Sequence, residues 1–181
     1  MSRPVLVTYA SRQGSTAGVA QAIGTVLAQD GLPVEVQAMA TVTDLSPYAG
    51  VIAGSAIQNG AWLPEALAFV SDHRLALRQR PFAAFLVCLT LAMKRGAYRD
   101  HVLSWFAPVR QLVTPVSEGA FPGVLRIAAL PGWSDRIKFK CSVWAGVWSE
   151  GDHRDWEAIR AWASGVARVF VEPRLGATTG Q

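Results

Sequence analysis

The sequence predicts an α/β fold in which five parallel strands form a doubly wound sheet of order 2-1-3-4-5, with helices on both faces. Short apolar runs alternate with segments whose apolar residues recur every three or four positions, the pattern of strands joined by crossover helices. A loop rich in small hydroxyl residues follows the first run, where such sheets bind ligands. The 181 residues predict one domain at 1–172, with an insertion at about 121–149 after or within strand five and a flexible tail at 173–181.

The first predicted unit is a strand, a helix and a second strand. Residues 5–9 are an apolar run typical of a buried strand, and the helix is expected over residues 14–29. Its apolar positions share one face: Val19, Ile23, Val26 and Leu27. Gly31 is well suited to the position just past a helix C-terminus. Apolar and polar residues alternate over residues 34–38, which predicts the second strand there.

The middle of the chain supplies two more buried strands. Residues 50–55 form a short, wholly apolar third strand, and a helix is expected over residues 63–72. The longest apolar run begins at Phe82 and ends at Met93, and its first part, residues 82–89, is the fourth strand. A run of this length suits a buried strand, because a membrane span requires roughly 18–20 apolar residues.

The last third of the chain predicts two helices and an edge strand. A helix fits residues 97–111, and residues 112–120 are the fifth strand, placed at an edge because Pro115 cannot donate a backbone hydrogen bond. The final helix is expected over residues 155–170 with Asp155 as its N-cap. Its apolar stripe is Trp156, Ile159, Ala163, Val166 and Phe170.

Composition excludes several classes of protein. Hydrophobic residues make up 51% of the chain and charged residues 17%, which excludes a disordered protein. Two cysteines and three dispersed histidines predict neither a disulfide framework nor a metal site. The first strand begins so early that no signal peptide is expected, which predicts a cytoplasmic protein. The net charge of +4 favours anionic partners, but no motif indicates nucleic-acid binding.

The loop after the first strand is the leading candidate site. Its residues are Ser11, Arg12, Gln13, Gly14, Ser15 and Thr16. Backbone N–H groups, small hydroxyls and a helix N-terminus in one place can hold a phosphate. The alternative is an ordinary strand-to-helix turn, where Gly, Ser and Thr are also favoured. The loop lacks both the Gly-Lys-Ser/Thr ending of a Walker loop and the glycine spacing of a dinucleotide fingerprint.

Two further segments follow strands three and four and should reach the same edge of the sheet. The segment 54–62 is small and bounded by glycines, so that its backbone can pass close to a flat ring. The segment 89–93 is apolar. Trp62 and Tyr98 lie near these loops, where they either stack on a ring or pack in the core. Three loops meeting at one edge, one of them suited to phosphate, outline a site for flavin mononucleotide, FMN.

At these residues the chain resembles the flavodoxin family and, within it, the menaquinone-dependent protoporphyrinogen oxidase branch. The loop 11–16 is similar to the phosphate loop of that branch, residues 51–60 to its second flavin loop, and residues 150–156 to its C-terminal signature. The chain departs from the family at Gln13, where a hydroxyl residue is usual, and at residues 88–92, which are apolar where the branch tends to offer an amide.

The resemblance implies FMN as the cofactor, no metal, and no catalytic side chain, since the chemistry occurs on the flavin. The cofactor-binding residues that it implies lie in three groups: Ser11, Arg12, Gln13, Gly14, Ser15 and Thr16; Ser55, Ala56, Ile57, Gln58, Asn59 and Gly60; Leu89, Thr90, Leu91 and Ala92. The implied activity is an FMN-dependent oxidoreductase that passes electrons from a porphyrinogen-like substrate to a quinone. The alternatives are a flavodoxin-type electron carrier and a flavin-free binding module.

The insertion carries an apolar stripe at helical spacing. Its members are Trp133, Ile137, Cys141, Trp144 and Trp148, and Arg136, Lys138 and Lys140 flank it. Tryptophan beside basic residues is typical of a helix at the membrane surface, where a quinone acceptor would be met. This interpretation places the protein peripherally on the inner face of the membrane, through Trp133, Trp144 and Trp148. The alternative is that the stripe packs on the domain or on a second subunit, as in a homodimer.

Overall fold

Five parallel strands form the predicted doubly wound sheet. The computed structural model describes residues 3–93, 98–129, 132–147 and 149–171. The parallel strands are β1 (Val5–Ala10), β2 (Val34–Ala38), β3 (Gly50–Gln58), β5 (Phe82–Cys88) and β6 (Ser117–Pro122), and β4 (Ala61–Trp62) is antiparallel to β3. Their order, β2-β1-β3-β5-β6, confirms the prediction and places β6 at an edge.

Helices cover both faces of the sheet. One face carries α1 (Ser15–Gln29) and α7 (Trp156–Val171). The other carries α2 (Pro64–Asp72), α3 (Arg74–Arg78), α4 (Arg99–Ser104) and α5 (Ala107–Leu112). β5, an interior strand of the sheet, is buried along its whole length and supplies both cores. Ala83, Phe85 and Val87 pack in the core of α1 and α7, whereas Ala84, Leu86 and Cys88 pack in the opposite one.

The two long helices match their predicted patterns. The predicted stripe of α1 is buried, and so are Ile159, Ala163, Val166 and Phe170 of α7. The Ala158 N–H donates to Asp155 Oδ1 at 2.9 Å, which confirms Asp155 as the N-cap. Trp156 is half-buried.

The three largest differences from the prediction concern β3, the helix after β5 and the start of β6. β3 continues to Gln58 instead of ending at Ser55. The helix expected over 97–111 is two helices, because the chain turns at Trp105 and Phe106 and Pro108 lies in the first turn of the second helix. Ala97 lies outside the described residues. The fifth strand begins at Ser117 instead of 112, since Leu112 still belongs to α5.

An excursion follows β6 and returns to it. β7 (Val124–Leu125) pairs antiparallel with β8 (Gly151–Asp152), and α6 (Trp133–Trp144) lies between them in the chain. The pairing therefore returns the chain to the carboxyl end of β6 before α7 begins. The predicted tail at 173–181 lies outside the described residues.

Candidate functional site

The loop after β1 is an open turn held by one of its own hydroxyls. The Gly14 N–H donates to Ser11 Oγ at 3.1 Å, and Gly14 adopts a left-handed φ of 84° as the N-cap of α1. Arg12, Gln13 and Gly14 are exposed. Ser11 thus shapes the turn while its own O–H remains a donor, and the outer side of the loop faces solvent.

The first turn of α1 offers donors to this loop. The backbone N–H groups of residues 15–17 have no acceptor inside the helix, whose first internal bond runs from the Gly18 N–H to the Gly14 carbonyl at 3.0 Å. Ser15 is half-buried, and Thr16 Oγ1 is buried with no hydrogen-bond partner among the described residues. Unsatisfied donors at a helix N-terminus suit an anion, so the residues present fit the phosphate of FMN.

A cationic cleft of about 400 Å³ opens beside the loop. Its lining joins the loop to the excursion after β6: Arg12, Gln13, Gly14, Ser15, Val124, Arg126 and Arg154. Sequence reasoning missed Arg126 and Arg154. The segment 150–156 resembles a family signature and contains Arg154, so it is the sequence signal for this arginine, whereas Arg126 lies outside that segment.

Arg12 is tied to the beginning of α2. Its guanidinium forms two bonds to the Glu65 carboxylate, Nη1–Oε1 at 2.8 Å and Nη2–Oε2 at 3.0 Å. Both side chains are about half exposed, so the pair contributes little to stability. It fixes the direction of Arg12 along the rim of the cleft.

The second predicted loop is a β-hairpin. Ala56, Ile57 and Gln58 belong to β3, and Asn59 and Gly60 form its two-residue turn with φ of 53° and 74°. Both positive values are those of the tight Asn-Gly turn. The turn is exposed and lies beside Trp105, whose indole would be 3.6 Å from a Cβ atom at Gly60.

Two residues of the second loop have internal roles. The Ser55 hydroxyl is buried, accepts from the Leu63 N–H at 3.0 Å and donates to the Ala56 carbonyl at 2.7 Å, so it joins β3 to α2 instead of facing a ligand. The flat ring that Gly54 accommodates is Phe85, its neighbour on β5, because a Cβ atom at Gly54 would overlap that ring. The ring that lies against Gly54 is therefore a side chain of the core.

The third predicted loop is a short 3-10 turn. Leu89 follows β5, and Thr90–Ala92 form the turn, all half-buried. Burial raises the pKa of the Cys88 thiol just before it to about 11, so this thiol is neutral at neutral pH. Residues 94–97 lie outside the described residues.

The first and third loops meet across Gly123. A Cβ atom at Gly123 would lie 3.8 Å from Ser15 Oγ and 4.0 Å from Leu89 Cδ2. The β3–β4 turn follows the strand between β1 and β5, so all three loops lie at one edge of the sheet. Trp62, in contrast, is buried against Phe106 with ring centroids 5.8 Å apart, which favours the packing role for this residue.

Helix α6 carries an exposed apolar face. Trp133, Ile137 and Trp144 are 77%, 50% and 92% exposed, so the alternative that they pack on this domain is wrong. Cys141 on the same face is also exposed, as are the basic residues Arg136, Lys138 and Lys140. Trp148 lies outside the described residues. Two alternative predictions remain for what covers this face: a second subunit or a membrane surface.

Two absences hold for the described part of the chain. It contains no cluster of three or more His, Cys, Asp or Glu residues that could bind a metal ion. Over the same residues, none of the helices has the length and apolar character that crossing a bilayer requires.

Comparison with known proteins identifies the domain type. The sequence profile of the flavodoxin domain matches residues 6–152. No curated protein matches the chain. Flavodoxin 2 from Bacillus cereus is similar in structure, with 19% identity and a TM-score of 0.58 over 92% of this chain and 99% of that one. A flavodoxin from Streptococcus pneumoniae gives 17% identity and a TM-score of 0.57 over 91% and 98%.

A larger oxidoreductase contains a similar fold. Rubredoxin oxygen:oxidoreductase from Desulfovibrio gigas has 17% identity and a TM-score of 0.55 over 97% of this chain. This chain spans only 38% of that protein. At these identities the structural likeness establishes the fold.

Proposed function

Because this chain belongs to the flavodoxin domain family, we propose that it binds FMN and transfers electrons through it. The observation that carries the proposal is the loop 11–16 at the N-terminus of α1, with its open backbone donors and the unpartnered Thr16 hydroxyl. A dianionic phosphate requires several such donors, each charge-assisted bond contributing on the order of 1.5–3 kcal/mol.

The loops leave the chemistry to the cofactor. None of the residues 11–16, 55–62 or 88–93 is a carboxylic acid or a histidine. FMN supplies one-electron or hydride transfer when it is bound. This chain's residues hold its phosphate, and the half-buried 3-10 turn at 90–92 lies at the same edge of the sheet.

The test is the absorption spectrum and the redox behaviour of the purified protein. We expect a yellow protein that retains FMN close to one per chain after gel filtration. After reduction with dithionite under nitrogen, a soluble naphthoquinone should restore the oxidised flavin spectrum. A protein that retains no flavin when incubated with excess FMN would overturn the proposal and favour the flavin-free binding module.

A second candidate narrows the function to an oxidase that takes electrons from a porphyrinogen-like substrate and reduces a quinone in the membrane. Two observations favour it over a soluble carrier that docks protein partners. The chain has a net charge of +4, whereas flavodoxin carriers are typically acidic. The exposed tryptophans of α6 lie beside basic side chains, the arrangement that binds a lipid surface.

The exposed face of α6 gives this candidate a test. Replacing both Trp133 and Trp144 by alanine should weaken binding to vesicles of phosphatidylglycerol at least tenfold, because the indoles enter the interface and the basic residues attract anionic lipid by about 1 kcal/mol each. Cosedimentation measures the binding, and menaquinone in the same vesicles should be reduced more slowly by the variant.

The control is Leu75→Ala, which removes another exposed apolar side chain, on α3. It should leave vesicle binding unchanged. If the parent protein ignores the vesicles and the double variant converts a dimer into monomers, the face binds a second subunit and the membrane role is wrong.

A further inference from the structure

Backbone and side-chain hydrogen bonds hold the segment 150–156 in a fixed position, which the electron-transfer proposal does not require. Asp152 and Gly151 pair with Val124 and Leu125 in the β7–β8 hairpin. The Ile127 N–H donates to Glu150 Oε1 at 3.0 Å, just beyond the hairpin. The His153 N–H donates to the Gly123 carbonyl at 3.1 Å. These bonds fix the segment to the carboxyl end of β6, next to Ser15.

The segment 150–156 fixes the position of one side chain, Arg154. Its Nε and Nη2 atoms bind Asp152 Oδ1 and Oδ2 at 2.8 and 2.5 Å. Its guanidinium carbon lies 4.3 Å from the centre of the Trp156 ring, and the side chain is only 16% exposed. The pairing lowers the pKa of Asp152 to about 2, so both groups are charged at neutral pH. An arginine held this way has already lost most of its rotamer freedom.

The remaining guanidinium nitrogen of Arg154, Nη1, lies against the first turn of α1. A Cβ atom at Gly18 would overlap Arg154 Nη1, so the glycine leaves the space that this atom occupies. Gly18 lies one helical turn after Gly14, within the N-terminal end of α1. The guanidinium nitrogen that does not bind Asp152 therefore lies beside the end of the helix that fits a phosphate.

The side chains of the cleft carry a net positive charge. Arg12 and Arg154 are each paired with a carboxylate, Glu65 and Asp152 respectively. Arg126 is exposed and, within the described residues, makes no salt bridge. The three arginines of the cleft thus outnumber the two carboxylates that pair with Arg12 and Arg154, and the positive end of the helix dipole adds to their charge.

We propose that Arg154 and Arg126 form an arginine clamp that contacts the phosphate of FMN from the side opposite the loop 11–16. The clamp rests on the proposed function, because it names further residues for the same cofactor. Its ligand is a phosphate monoester, since the cleft joins the two arginines to Ser15 and the donors of α1. Segment 150–156 acts by positioning Arg154.

The experiment compares the affinities for FMN and riboflavin by fluorescence titration of the full-length apoprotein. Arg154→Gln and Arg126→Gln should each weaken FMN about tenfold and leave riboflavin, which lacks the phosphate, within twofold. Gly18→Ala displaces Nη1 without changing any charge and favours the helix, so it should weaken FMN several-fold in a folded protein. Arg168→Gln on α7, exposed and three turns away from Trp156, makes the same change in net charge and should have no effect.

The outcomes separate the clamp from the proposal on which it rests. If the parent binds FMN and both glutamine variants bind it equally well, the clamp is wrong and the FMN proposal stands. If the variants weaken FMN and riboflavin by the same factor, the arginines only maintain the fold and the clamp is again wrong. If the parent binds no FMN, both proposals fail.

Discussion

Substituting Gly54 by alanine is expected to lower the free energy of unfolding by about 3 kcal/mol, because the new methyl group would occupy the space of a buried ring. Gly54 pairs with Phe85 across β3 and β5, and a Cβ atom would overlap the ring. Phe85 is completely buried and packs edge-on against Trp162, with centroids 6.2 Å apart. The ring therefore has nowhere to move without disturbing the core beneath α7.

The control is a second glycine-to-alanine change in the same protein. Gly165 lies in α7, is exposed, and has no atom within 4 Å of the position of a Cβ. Gly165→Ala should raise the free energy of unfolding by about 0.5–1 kcal/mol through helix propensity. Urea denaturation measures both changes. Equal stability of the parent and Gly54→Ala would show that the Phe85 ring does not pack against Gly54.

Replacing Ser15 by aspartate should weaken FMN at least a hundredfold. Ser15 is the first residue of α1 and lines the cleft, so a carboxylate there would repel a bound phosphate by about 3 kcal/mol. The fold should be unharmed, because an acidic residue in the first turn is favourable to a helix. Calorimetric titration of the apoprotein with FMN measures the loss.

Ser15→Asn is the matched variant, with the same shape and no charge. We expect it to weaken FMN less than tenfold, and both variants to change riboflavin affinity far less than FMN affinity. Equal FMN affinities of the aspartate and asparagine variants would place the phosphate away from the N-terminus of α1.

Much of the sheet could be predicted because its strands are buried on both faces. β1 and β5 are apolar runs, and composition alone is enough to distinguish such a strand from the segments around it. The strand order then follows from the loop after β1 and the alternation with helices. The N-cap at Asp155 was equally readable, since it depends on one side chain and its neighbours.

The errors lie where local patterns compete. The predicted third strand ends at Ser55, although Asn59-Gly60 is a strong hairpin signal that extends it. The single helix predicted over 97–111 contains Pro108, which a helix accommodates only in its first turn. The apolar residues after Leu112 fit a strand and a helix end equally well, so the start of β6 depended on tertiary packing.

The missed part of the candidate site comes from contacts distant in sequence. Arg126 and Arg154 reach the loop 11–16 because β7 and β8 pair, and each of these strands is only two residues long. Strands this short leave no periodic signal in a sequence. The face of α6, by contrast, was visible from its spacing, but only the structure shows that Trp133 and Trp144 point away from the domain.

The affinity ratio between FMN and riboflavin tests the central claim, that the loop 11–16 holds the phosphate of FMN. The two molecules share the ring and the ribityl chain and differ only in the phosphate. Equilibrium fluorescence titration of the parent apoprotein should give a Kd for FMN at least a hundredfold below that for riboflavin, equivalent to about 2.7 kcal/mol of phosphate binding. Equal affinities for the two, or no binding of FMN, would contradict the claim.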